Sequence, residues 1–242
     1  MKGLGLDSTK GIFKLLQVLN VNLSTVSEID LSYNLFTTLD DSFIQVIEAA
    51  EDLRTLLLNH NKLENLPNNF LVHHPNLETL DLRENNLKTL PNNFLSEAPN
   101  LDHLWLCCNR LESLPEPFFL NKSPMLRLLD IGCNYVKWLP LPINLLSQLE
   151  RLGLYHNQLT ELPKPLFEIA PKLARVILDE NPLPFNSVSR LPAAAQMAVF
   201  EGCKDWKTIS ADPAVQSWLE KEMDSTHPAL KAMAGKRAFS PE

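Results

Sequence analysis

The sequence predicts an α/β solenoid, with a curved parallel β-sheet on its concave side and a helical cap at each end. Three observations carry this. An asparagine recurs seven times, as Asn34, Asn61, Asn85, Asn109, Asn134, Asn157 and Asn181, at a nearly constant interval. Each copy has an apolar residue eight, five and three positions before the asparagine and two after it; around Asn85 these are Leu77, Leu80, Leu82 and Leu87. Proline stands six after the asparagine in five copies (Pro67, Pro91, Pro115, Pro140, Pro163). A large apolar residue stands nine after it: Phe43, Phe70, Phe94, Phe118, Ile143 and Leu166. A fixed period of this length means stacked repeats, because one such unit cannot bury its own apolar face.

Each element follows from the pattern. The Leu-x-Leu core of a repeat is a short strand whose leucines point one way. Stacking sets each strand beside the next and joins the leucines into one core. The buried asparagine offers amide donors and an acceptor to turn backbone that would otherwise lack partners. Proline stiffens the convex return, and the phenylalanine series lines the far wall. Residues 1–25 read as an N-terminal cap. Ser8 is the candidate N-cap of a helix packing through Ile12, Leu15, Leu16 and Leu19, and an irregular strand is expected around Val21–Leu23. The segment FIQVIEAAEDL, 43–53, reads as a convex helix. The repeats span 26–185. Residues 186–242 read as a C-terminal cap of short helices, one opening at Asp212-Pro213, with a frayed tail.

The repeat resembles the leucine-rich-repeat family in its 24-residue LxxLxLxxNxLxxLPxxxF form. The resemblance implies a right-handed solenoid that binds partners of many kinds. With no leader-like start and no cysteine caps, the chain is also similar to bacterial leucine-rich-repeat proteins translocated into host cells. LEKEMD (219–224) resembles the glutamate-rich stretch near the C-terminus of some of these effectors.

Composition narrows the function. Net charge is −7 over 242 residues, which disfavours nucleic acid as the main partner. Lys10, Lys14 and Gln17 interrupt any apolar leader in the opening MKGLGLDSTKGIFKLLQVL, and no segment is long enough to span a bilayer. Cys107, Cys108, Cys133 and Cys203 do not flank the repeats as capping disulfides would, so a reducing, cytoplasmic compartment (the chain's own or a host's) is expected. The seven glycines are scattered, which makes a nucleotide-binding loop improbable. No cofactor is expected.

Numbered from the first leucine of each repeat, positions 2, 3, 5, 7 and 8 face the concave side. They hold five arginines, no lysine and ten acids. Arginine without lysine is the composition of an interface. The expected partner-binding residues are Tyr33, Leu57, Arg83, Trp105, Arg127, Leu128, Arg151, Tyr155, Arg175 and Ile177, with mid-array Trp105 as the principal anchor. The acids predict a protein partner with a basic patch, held by a monomer. Position 8 reads Glu84, Cys108, Cys133 and His156 in successive copies. A flat ladder without CxxC or HExxH spacing argues for compact filler over a zinc site. A reactive thiol there needs a nearby cation, Arg83 or Arg127. Asp102 and His103 are adjacent, so strand alternation points them apart. The chain is read as non-enzymatic. The alternative is a ubiquitin-ligase-type effector using Cys203, whose Cys-x-Asp context resembles that of bacterial ligases, although the segment 186–242 that follows the repeats is too short for their catalytic domain.

Overall fold

The computed structural model describes residues 1–183, except 69, 72–73, 93, 95–97, 117–124, 141–146, 163–169, 171 and 179. The predicted C-terminal cap, Cys203, the 219–224 stretch, Pro163, Phe118, Ile143 and Leu166 lie outside the described residues.

Among the described residues, seven three-residue strands form one parallel sheet in chain order. They are β1 (Glu28–Asp30), β2 (Thr55–Leu57), β3 (Thr79–Asp81), β4 (His103–Trp105), β5 (Leu128–Asp130), β6 (Arg151–Gly153) and β7 (Arg175–Ile177). The register is constant from strand to strand, so the central residues Ile29, Leu56, Leu80, Leu104, Leu129, Leu152 and Val176 stand side by side. From Leu56 to Leu152 they are buried, and each contributes roughly 1.5–3 kcal/mol by leaving water. Phe43, Phe70 and Phe94 stack along the far wall with ring centroids 6.3 and 6.2 Å apart. The prolines set the turns that bring these rings inward: Phe70 and Phe94 donate their N–H to the carbonyls of Pro67 and Pro91.

The asparagines stitch neighbouring repeats together. Asn109 Nδ2 donates to the Leu106 carbonyl of its own repeat and to the Leu82 carbonyl of the preceding one, at 3.0 and 2.9 Å. Its Oδ1 accepts from the Leu87 N–H at 3.0 Å. Asn61, Asn85, Asn134, Asn157 and Asn181 make the equivalent bonds. Asn34 has no preceding repeat, and residues 1–6 take its place. The Met1 carbonyl accepts from Asn34 Nδ2, and the Leu4 and Leu6 N–H groups donate to its Oδ1.

The cap departs from the predicted pattern. Helix α1 runs from Ile12 to Val18, and its N-cap is Gly11 at φ 82°. Ser8 instead accepts from the Lys10 N–H, forming a local turn three residues too early to cap the helix. Ile12 is buried and Leu16 half-buried, but Leu15 and Leu19 are 49% and 62% exposed. A short helix lying on one neighbour buries a narrower stripe than its full apolar face. That neighbour is α2 (Asp41–Ala49), the expected convex helix. Asp40 caps it, accepting from the Phe43 N–H, and buried Thr9 bonds Asp40 through its hydroxyl in both directions. In place of the strand expected near Val21–Leu23, Leu23–Thr25 forms a 3-10 turn capped by Asn22.

The concave face as candidate protein-binding site

Side chains at positions 3 and 5 leave the sheet on the concave side, as strand alternation requires. All ten sequence-predicted contact residues belong to this face or its rim, but their states differ. Trp105, Leu57, Leu128 and Ile177 are half-buried in the row of neighbouring side chains. Trp105 lies between two partners, stacked on His103 at 5.3 Å and under the Arg83 guanidinium, 5.3 Å from the ring centroid. This packing fixes the indole before anything binds.

Three of the five arginines are already committed. Arg83 forks onto Asp81 at 2.7–3.2 Å, and that bond first of all raises its pKa further. Arg127 forks onto Asp102 of the preceding repeat, which holds the Asp102 carboxyl below its usual range. Arg54 pairs with Glu78. Arg151 and Arg175 are exposed neighbours on β6 and β7 and form no ion pair among the described residues.

The acids are also largely spent. Asp30, Asp81 and Asp130 each turn a carboxylate oxygen onto the N–H two residues on, at 2.9–3.0 Å. These bonds hold the chain where it leaves each strand. His60 meets Glu84 at 2.8 Å and stacks on Tyr33 at 4.2 Å, and Lys2 lies 5.1 Å above the Tyr33 ring. His103 and Asp102 do not point apart: they approach to 3.4 Å, because Asp102 precedes the strand and escapes its alternation. Position 7 is more enclosed than a concave position should be. Ser32, Asn59 and Cys107 are buried there, since the chain is already turning inward toward the asparagine.

Position 8 has a property that its residue types do not announce. Tyr33, His60, Glu84, Cys108, Cys133, His156 and Glu180 all have positive φ, between 49° and 58°. In five of them the N–H donates to the position-7 carbonyl of the next repeat, at 2.7–3.0 Å. The ladder imposes the left-handed turn, and none of these residues is glycine or asparagine, so the sequence carries no signal for it.

This geometry also decides the thiols. Cys107 is pushed up, first by burial and then by the Asp130 carboxylate, and Arg83 offsets little of this. Cys133 is pushed up to about 11, first by burial and then by neighbouring Cys108. Neither of these two thiols has the activation by Arg83 or Arg127 that a reactive thiol would need. At pH 8 we expect Cys133 in the folded protein to be alkylated roughly a hundredfold more slowly than an ordinary thiol, because its thiolate fraction falls in that proportion. Mass-spectrometric rates with and without urea check this. Among the described residues no three His, Cys, Asp or Glu side chains are grouped to hold a metal ion, and no helix is long and apolar enough to cross a membrane.

Gly132 and Gly153 shape the floor. A Cβ at Gly132 would stand 2.2–2.5 Å from the Tyr155 ring, and one at Gly153 would stand 2.5 Å from Asp130 Oδ1. Tyr155 thus lies across β5's exit, against the bare backbone of Gly132. Gly132→Ala should displace this ring and cost about 1–3 kcal/mol. The same change in a Tyr155→Ala background should cost under about 0.5 kcal/mol. Urea unfolding of the four proteins measures the difference.

Comparison with known proteins fits this geometry. The Leucine rich repeat family model matches residues 51–106. A search of curated proteins found no match. Among solved structures 228 chains match. One is YopM from Yersinia enterocolitica WA-314, at 30% identity and TM-score 0.48, over 64% of this chain. The chain spans 28% of that protein's length. The family match falls on β2 to β4, and the same strand, asparagine ladder and register continue on both sides of it: the described residues fold as a leucine-rich-repeat solenoid.

Proposed function

We propose that the chain is a non-enzymatic module that binds a partner protein on the concave face of β1–β7. One observation carries the reading. The largest side chain on the face, Trp105, stands on the central strand of the sheet, half-buried and locked between Arg83 and His103. A rigid aromatic at the centre of an interface loses little entropy on binding and makes the typical hot spot. Leucine-rich-repeat domains generally bind protein partners and are generally scaffolds, not enzymes. Leu57 and Leu128 flank Trp105 in the array, and Arg151, Arg175, Tyr155 and Ile177 extend the contact toward β7. Tyr33 would meet the partner at the β1 end. Arg83 and Arg127 contribute by holding Trp105 and Asp102 in place.

Concave positions of the first three repeats carry five acids (Glu28, Asp30, Glu78, Asp81, Glu84) and two arginines (Arg54, Arg83). A basic patch on the partner belongs opposite this half. On this reading residues 1–25 cap the module, 26–185 are its repeats and 186–242 close it. The protein acts as a monomer in a cytosol, and delivery into a host cell accords with the resemblance of 219–224 to effector tails. Fusion to a translocation reporter tests delivery. For binding, wild type and the Trp105→Ala/Arg151→Glu double variant are used in parallel affinity purifications. Loss of the specific partner from the variant is expected; an unchanged partner set rejects the concave face. The ubiquitin-ligase alternative through Cys203 predicts a thioester that Cys203→Ala abolishes, and its absence from wild type removes that alternative.

A further inference from the structure

The concave sheet holds a depression of about 180 Å³ between β4 and β7, lined by Trp105, Leu128, Asp130, Arg151, Arg175 and Ile177, with the bare backbone of Gly153 in its floor. Its chemistry differs from the rest of the face. Elsewhere each concave arginine is tied to an acid. Here Arg151 and Arg175 are register partners, about 4.8 Å apart along the backbone ladder, exposed and without an ion pair among the described residues. Two residues further along the same strands come Gly153 and Ile177, with Asp130 beside Gly153 on β5. The site therefore has a cationic end and an apolar end, separated by about 6.6 Å, the i to i+2 distance of an extended chain.

Resting on the concave-face reading, we propose that this depression receives an extended acidic segment of the partner, with an acidic residue and an apolar residue two positions apart. The carboxylate forks onto Arg151 and Arg175, as guanidinium geometry favours. The apolar side chain lies over Gly153, against Ile177 and toward Trp105, while Leu128 stands in register with Arg151 beside the carboxylate. Asp130 does not oppose this. Its Oδ1 is held by the Gly132 N–H at 3.0 Å, and its other carboxylate oxygen is left to accept a main-chain N–H of the segment. A basic segment is rejected by two unneutralised cations at the entry. Gly153 is required twice: it leaves the floor open and lets Asp130 approach. The partner thus carries mixed charge, basic opposite the first three repeats and acidic opposite β6 and β7.

The test selects random twelve-residue peptides, displayed between constant flanks, on the full chain. Enriched sequences are then made as N-acetylated, C-amidated peptides. Their affinities are measured for wild type, Arg151→Glu/Arg175→Glu, Trp105→Ala and Trp138→Ala, the last being exposed and off the concave sheet. Circular dichroism verifies that each variant is folded. The expected result is enrichment of Asp or Glu two residues from an apolar residue. Such peptides should lose at least tenfold affinity in the arginine double variant and in Trp105→Ala, and remain within about twofold in Trp138→Ala. Peptides that lack acids but still depend on Trp105 would overturn this inference and leave the concave-face reading standing. Peptides insensitive to every one of these substitutions would overturn both. A selection that enriches no sequence class would also overturn the inference.

Discussion

Asn109→Leu should lower the free energy of unfolding by about 2–4 kcal/mol, although leucine replaces asparagine with a side chain of similar size. The change removes no packing. It orphans the buried Leu87 N–H and takes one of two donors from each of the Leu82 and Leu106 carbonyls, which keep Asn85 and Asn134. The orphaned N–H costs roughly 1–3 kcal/mol and each lost carbonyl bond about 0.5–1.5 kcal/mol, and some relaxation offsets the sum. The loss spans two repeats, because the side chain bonds its own turn and the preceding one. Neighbour coupling of this kind lets a solenoid unfold cooperatively. Asn100 supplies the control. It is exposed and donates a single bond, to the Pro75 carbonyl at 2.9 Å, and Asn100→Ala should cost under about 1 kcal/mol. Urea titrations of the two variants against wild type settle it. Equal effects would mean that asparagine at the repeat position is incidental to the ladder.

Trp105→Ala should weaken partner binding by about 2 kcal/mol or more, some thirtyfold, while changing stability far less. The indole is half-buried, and its contacts with Arg83 and His103 position it without closing the core beneath. Trp138 is the useful contrast. It is 49% exposed and lies off the concave sheet, beyond Asn134 and one residue before Leu139. Trp138→Ala should leave affinity within about twofold. Titration of the co-purifying partner by calorimetry gives both numbers.

How much of this is written in the sequence depends on how local the physics is. Strand positions, the inward leucines, the Asn109 type of bond and the Phe43–Phe70–Phe94 stack are legible because the repeat presents the same constraint seven times. Ends and exceptions are less so. Leu15 and Leu19 sit at helical spacing with Ile12, but only the area of α2 decides which of them is covered. Residues 1–6 contain no repeat, yet their backbone supplies what Asn34 requires from a missing one. Alternation identifies the concave positions but not their state. Arg83 and Arg127 look as available as Arg151 and Arg175 until Asp81 and Asp102 are seen to hold them. Asp130 and Gly153 show the same limit. Asp130 reads as a surface acid and Gly153 as a gap, and their shared role appears only when β5 and β6 are placed side by side.

The most direct test of concave binding is hydrogen–deuterium exchange of the chain alone and saturated with its co-purifying partner. Protection should rise in peptides that contain β4 to β7, from His103–Trp105 to Arg175–Ile177, and stay unchanged in α2 and in the outer turns at Pro67 and Pro91. Protection confined to α2 and those convex turns, with the strands unaltered, would contradict the account.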